Sequence, residues 1–336
     1  MGNENIKEKL KEYHIRLEVP ILDYTSPIAG RQFPGEFNVS GFHKEVQELA
    51  NKEKSFWGID TCLRLKDKIE EHHSFLFEMG IFAKSIDLQK DFREPFKDNR
   101  FARFQEEIIT QFILLIEYFG IKTKNLEATY LGSLTFGDSK GRDRSLIRKY
   151  TFPEDKTAQK ILDKFGVRCY PVSSLANVDI HPVEGSLVGS RIEIAYRGIE
   201  IATIVFDFFK IKEGKLIPIN YVGGYAIGIE RLISALNERK DFLSSVPKYV
   251  NAFTILKTEL PASETFLLRK NTLMILFGSE VLASVKEIEK LSKSQKELFR
   301  QFKKKFLESC ENIGIKKVSI NKLIDFYDYE NPHNRS

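Results

Sequence analysis

Between Arg191 and Leu236 the sequence leaves few folds open. It reads RIEIAYRG, IEIATIVFDFF, KEGK, LIPINYV and then GGYAIGIERLISAL. β-Branched and aromatic residues fill the first two runs and the fourth, so each of these is a strand. KEGK makes a turn, and strands joined this closely run antiparallel. The last run shifts from a period of two to a helical one. The block therefore predicts an α+β domain built on an antiparallel sheet flanked by helices.

The remaining segments supply those helices. Residues 5–14 read as a short helix, and a Pro-Gly turn precedes a second one near 41–52. EHHSFLFEMGIFA is aromatic and apolar enough for a buried strand. From Phe101 to Phe119 apolar residues recur with the helical period, and Gly120 stops the helix. PEDKTAQKILDKFGV is a helix opened by Pro153, with Gly166 near its end. Beyond Asn237 the pattern is helical almost throughout, which sets a boundary near 240–255 and two units, 1–245 and 246–336.

With 42% hydrophobic and 12% aromatic residues in 336, the chain can bury a large core and is not disordered. Cys62, Cys169 and Cys310 are far apart with no CxxC, which excludes a zinc ribbon or disulfide framework and fits a reducing compartment. The N-terminus is charged, position 6 is Ile where myristoylation wants Ser or Thr, and no apolar run suffices for a membrane span. A cytoplasmic protein without a membrane partner is expected. The net charge of +5 is uneven: Lys286 to Lys317 holds ten Lys or Arg against five Glu. Such a helical patch either follows a nucleic-acid backbone or is a solvated face.

The glycine stretch has two readings as well. On a strand, Gly224, Ala226 and Gly228 share one face and leave it nearly bare, so a purine or sugar can lie against backbone. Arg231, on the helix that follows, then points at a phosphate or stacks on the base. The other reading is close packing of a helix on the strand.

G-x-A-x-G followed by IER resembles motif 3 of the class II aminoacyl-tRNA synthetases. CLRLKD with HSFLFEM looks like their motif 2, and the order of the two motifs is as that class has it. Within the class the chain is similar to alanyl-tRNA synthetase of the archaeal type, through EIAYRGIEIATIVFDFF, HSFLFEM, LPASETFLLRK and the terminal INKLIDFYDYENP. The likeness runs from about residue 40 to 332. It implies a class II fold on 1–245, a tRNA-recognising helical domain on 246–336, ATP and Mg²⁺ as cofactors, and an amino-acid-like substrate activated as its acyl-adenylate. It makes Arg64 and Arg231 the catalytic phosphate arginines. Asp67, His73, Phe77, Glu78, Gly224, Ala226 and Gly228 join them around ATP. Glu193 and Glu200 are implied as magnesium ligands, Thr203, Val205, Asp207 and Gly224 as the substrate pocket, and Arg269, Lys303, Lys304 and Lys305 as tRNA contacts. The oligomeric state is open, a dimer included.

The departures from that family are informative. Its motif 3 carries an aspartate for the substrate's α-ammonium where this chain has Gly224. Its M-Q after V-F becomes Asp207-Phe208, and Asp207 shares a strand face with Thr203 and Val205. Its glycine-rich approach is replaced by HPVEGSLVGS. Only eight residues separate Arg64 from His73, a short motif 2 loop. The sequence stops where the family's editing domain begins, which suggests a free-standing paralogue. Two functions follow: a ligase with an altered substrate, or a non-catalytic relative that binds RNA or regulates.

Overall fold

The computed structural model describes residues 3–20, 36–38, 48–49, 51–64, 78–87, 94–136, 150–180, 185–238, 247–256, scattered positions between 271 and 282, and 293–330. In chain order the elements are α1 (Asn3–Arg16), β1 (Glu36–Asn38), β2 (Ser55–Arg64), β3 (Glu78–Ile86), α2 (Asn99–Tyr118), β4 (Leu126–Leu131), β5 (Leu134–Phe136) and β6 (Tyr150–Phe152). Then follow α3 (Lys156–Lys164), β7 (Arg168–Val172), β8 (Val178–Ile180), β9 (Leu187–Tyr196), β10 (Ile199–Lys212) and β11 (Lys215–Gly228). Helices α4 (Ile229–Leu236), α5 (Pro247–Leu256), α6 (Lys293–Ile313) and α7 (Lys317–Glu330) complete the set.

Nine of these strands form one sheet in the order β1-β2-β3-β11-β10-β9-β4-β7, with β8 pairing β9 beside β4. Every pairing in it is antiparallel except β4 with β7. The expected α+β architecture is therefore present, with β9, β10 and β11 as its central meander. LIPINYV and the glycine stretch are one continuous strand rather than two segments.

One face of the sheet carries the main core. Helix α2 lays Phe101, Phe104, Ile108, Phe112 and Ile116 on it, all nearly inaccessible, each such side chain contributing roughly 1.5–3 kcal/mol by burial. Its N-cap is Asp98, which accepts from the Arg100 amide at 2.8 Å, and its other oxygen accepts from Tyr221 of β11 at 2.7 Å. Gly120, at φ +82°, ends the segment as the sequence required. Helix α3 starts three residues after Pro153 because Asp155, not the proline, caps it, accepting from the Ala158 amide at 3.0 Å. Helix α1 is pinned through His14, which stacks on Trp57 at 4.7 Å and lies 2.9 Å from the Tyr225 hydroxyl. Burial lowers the His14 pKa to about 4, so the ring is neutral there.

The paired glycines divide between the two faces. A Cβ on Gly223 would come within 2.8 Å of the Phe104 ring, on the helix side. One on Gly224 would sit 2.1 Å from the Phe82 carbonyl oxygen of β3, where no side chain fits. Close approach of backbone and ring thus requires both residues.

Candidate functional site

The face away from the helices is where strand alternation gathers the polar residues. Register places Thr203 beside Glu193 and Ala226, Val205 beside Arg191 and Gly224, and Asp207 beside Gly189 and Val222. β4 adds Thr129 next to Glu193, and β8 adds Asp179 next to Gly189. Strict alternation would turn Glu200 to the other side. The register shifts between Glu200 and Ala202, so Glu200 pairs Ala195 and joins the same face as Glu193. Thr203, Val205, Glu193, Glu200 and Ala226 are half-buried, whereas Gly224 and Gly228 are buried. A small apolar cluster, with Phe56, Ala83, Leu187 and Val222 among its members, borders this surface.

At one end of the face stands Arg231. It lies in the first turn of α4, and its guanidinium reaches Glu200 at 2.7 Å, with the two side chains 4% and 12% exposed. Glu200 therefore pairs with Arg231 rather than with neighbouring Arg197, which bonds Glu238 at 2.8 Å. Backbone register brings Met79 level with Gly228 and Thr61 level with Glu78. Arg64, the last residue of β2, is three positions beyond Thr61 and opposite Glu36. Arg64, Glu78, Gly228, Glu200 and Arg231 thus belong to elements that meet at the same end of the sheet.

Further along, Glu193 accepts from the Thr203 hydroxyl at 2.9 Å and lies 3.6 Å from Arg191. Arg191 also forms an ion pair with Asp179. Asn177 donates to the Thr129 hydroxyl and to the Arg191 carbonyl, both at 3.1 Å. Asp207 shares the face with Thr203 and Val205, yet it is 3% exposed. It is shielded from solvent, and among the described residues no lysine pairs with it. Asp179 lies across Gly189 from it, and its acidity is held well below that of an ordinary carboxyl, first by burial and then by the Asp179 charge, with Arg191 opposing. Asp179 and Arg191 were not singled out from the sequence. Arg191 is two residues from Glu193 and legible by parity, but nothing local announces that Asp179 lies beside it.

Asp67, His73, Phe77 and Arg269 fall outside the described residues. Lys303, Lys304 and Lys305 are exposed on α6, while Phe302 and Phe306 beside them are buried. Among the described residues no cluster of three or more His, Cys, Asp or Glu is placed to hold a metal, and no helix is long and apolar enough to cross a membrane.

No protein-family model matches the chain, and no curated protein matches it. Among solved structures it is similar to the pyrrolysyl tRNA synthetase PylSc of Desulfitobacterium hafniense, at 11% identity, with a TM-score of 0.36, over 72% of this chain and 71% of that one. A likeness so distant says nothing of chemistry.

Proposed function

We propose that this protein activates a carboxylic acid with ATP as the acyl-adenylate and passes the acyl group to tRNA or another acceptor. The observation that carries the reading is the Arg231–Glu200 pair, a nearly buried arginine on the first turn of the helix that follows the glycine strand. A guanidinium already dehydrated and oriented by a carboxylate binds a polyphosphate without further ordering. Arg64, at the same end of the sheet, would stabilise the charge that builds on the α-phosphate as the substrate carboxylate attacks.

Glu193 and Glu200 fit magnesium as it is usually held, by one or two carboxylates with substrate phosphates completing the shell. The ion would draw charge from the phosphates, and the two glutamates would orient it. The exposed Lys303, Lys304 and Lys305 support an RNA acceptor, and they equally suit a non-catalytic RNA-binding relative. An ATP–pyrophosphate exchange screen over amino acids and related acids separates the two. Exchange with any of them supports the ligase. Silence across the series, with tRNA bound in a salt-dependent manner, supports the RNA-binding module.

A further inference from the structure

Two buried acceptors meet no donor among the described residues: Oδ1 of Asp207, 3% exposed, and Oδ1 of Asn177, 1% exposed. The Asn177 amide is not reversed, because its Nδ2 already donates to the Arg191 carbonyl, which can only accept. Buried oxygens left without a donor are costly, so the Asp207 oxygen marks a place for one. Register sets Asp207 and Asp179 on either side of Gly189, and burial with the Asp179 charge favours the protonated form of Asp207.

Resting on the activation reading above, we propose that Asp179 and Asp207 form the ammonium subsite for the acid this protein activates. The amine then lies at least one carbon farther from the carboxyl than in an α-amino acid. Charge selects the ligand. With both carboxyls ionised, Arg191 balances one of them and a single ammonium balances the other, whereas a divalent cation would leave one positive charge in excess. Position selects the chain length. Arg231 and Glu200 mark the phosphate end of the face, and Asp207 is two residues beyond Val205, roughly 7 Å along the strand. Gly224, opposite Val205, has no space for an acid of its own, since the Phe82 carbonyl occupies the Cβ position. Glu193, the acid nearer the phosphate end, is already held by Thr203 and neighbours Arg191.

Binding exchanges one cation for another. The ligand ammonium keeps its protons, the carboxyl proton leaves Asp207 for solvent, and about one proton is released per ligand. The charged groups facing Asp207 are Asp179 on β8 and Arg191 on β9, with Glu193 beyond it; Val205 and Val222 bring none. Affinity should therefore rise with pH as the carboxyl pair ionises, until the amine loses its own proton near ~10.

The test titrates the full chain with β-alanine, 4-aminobutanoate, L-alanine and propionate, in buffers of different ionisation enthalpy. Pyrophosphate exchange and ATP affinity are measured beside it. Expected is binding of β-alanine or 4-aminobutanoate at least tenfold tighter than of L-alanine or propionate, with release of about one proton. Asp207→Asn should lose tenfold or more of that affinity while ATP affinity stays within twofold. Equal or better binding of L-alanine would place the amine on Glu193 and overturn the proposal. So would equal binding of propionate, an Asp207→Asn protein as good as wild type, or no binding of either ω-amino acid. Water is then the occupant of the two acceptors. If Asp207→Asn does not fold, the wild-type series and its proton release decide alone. Failure of exchange with every acid would sink the activation reading instead, and is read separately from the calorimetry.

Discussion

Glu200 and Asp207 sit on one strand and one face, both largely buried, and they are in opposite electrostatic situations. Glu200 meets an arginine brought in by the next helix, so its charge is compensated and fixed. Asp207 meets another acid brought in by β8, so it keeps its proton and retains an unused acceptor. The sequence around each gives no hint of this contrast. What differs is which neighbouring element the sheet topology delivers. One end of the face is built to hold its own charge, and the other to wait for one.

The sharpest way to break this contrast is Arg231→Ala. Removing one partner of a buried pair strands the other, at about 3–5 kcal/mol, and the proposed phosphate contact goes with it. Urea unfolding should show the loss of stability, and calorimetry should show ATP binding weakened together with loss of any pyrophosphate exchange. Unchanged ATP affinity in a folded protein would remove Arg231 from the site. Adding Glu200→Gln in a double-mutant cycle should recover part of the lost stability, since the stranded charge is gone.

Next in size is Gly224→Asp, which introduces an acid at the position matching the aspartate of the family that the sequence resembles. The Phe82 carbonyl stands where its Cβ must go, so strain of roughly 1–3 kcal/mol is expected. Gly224→Ala should cost about as much, which a denaturant midpoint can check. A well-folded Gly224→Asp protein with improved L-alanine binding would show that the pocket is open there after all.

A smaller effect separates the two acids by pH. The folded-state pKa of Asp207 is raised above its unfolded value. Its contribution is therefore fully present below the ordinary aspartate pKa near ~4 and is lost as pH rises through the folded value. Wild type should lose stability across that window by at most about 1.4 kcal/mol per pH unit from this group. Asp207→Asn should flatten that part of the profile, and Glu200→Gln should not. Identical profiles would mean that Asp207 is ionised throughout. The smallest stability change belongs to Lys303, Lys304 and Lys305, all exposed. Their joint replacement by Gln should stay within about ±0.5 kcal/mol per position. It should also lower the salt slope of tRNA binding by up to ~0.9 per lost phosphate contact.

The β9–β11 meander and helix α2 were legible because their periodicity is local and long. The Arg231 turn and the face shared by Thr203, Val205 and Asp207 followed from the same parity. Three things did not. Asp155 capping α3 competes with Pro153 as the start signal, and a hydrogen-bonding side chain won over the imino acid. Asp179 reaches Asp207 only through two successive pairings, β8 with β9 and β9 with β10, a combination that no short window of sequence encodes. Gly224 read as a bare floor for a ligand, yet the β3 backbone already requires a residue without a side chain there.

The register shift beside Ile201 has a consequence for how this chain can vary. Glu200 and Thr203 look out from the same face because of one extra residue between them. Losing that single codon would leave Glu200 and Thr203 two positions apart, so a regular ladder would keep both on this face without the bulge. Such a deletion would leave Arg231 its carboxylate, whereas flattening the bulge at unchanged length would turn Glu200 to the opposite side. Alignments that place their gaps freely in this strand would miss the event altogether, and libraries built only from substitutions could not reproduce it.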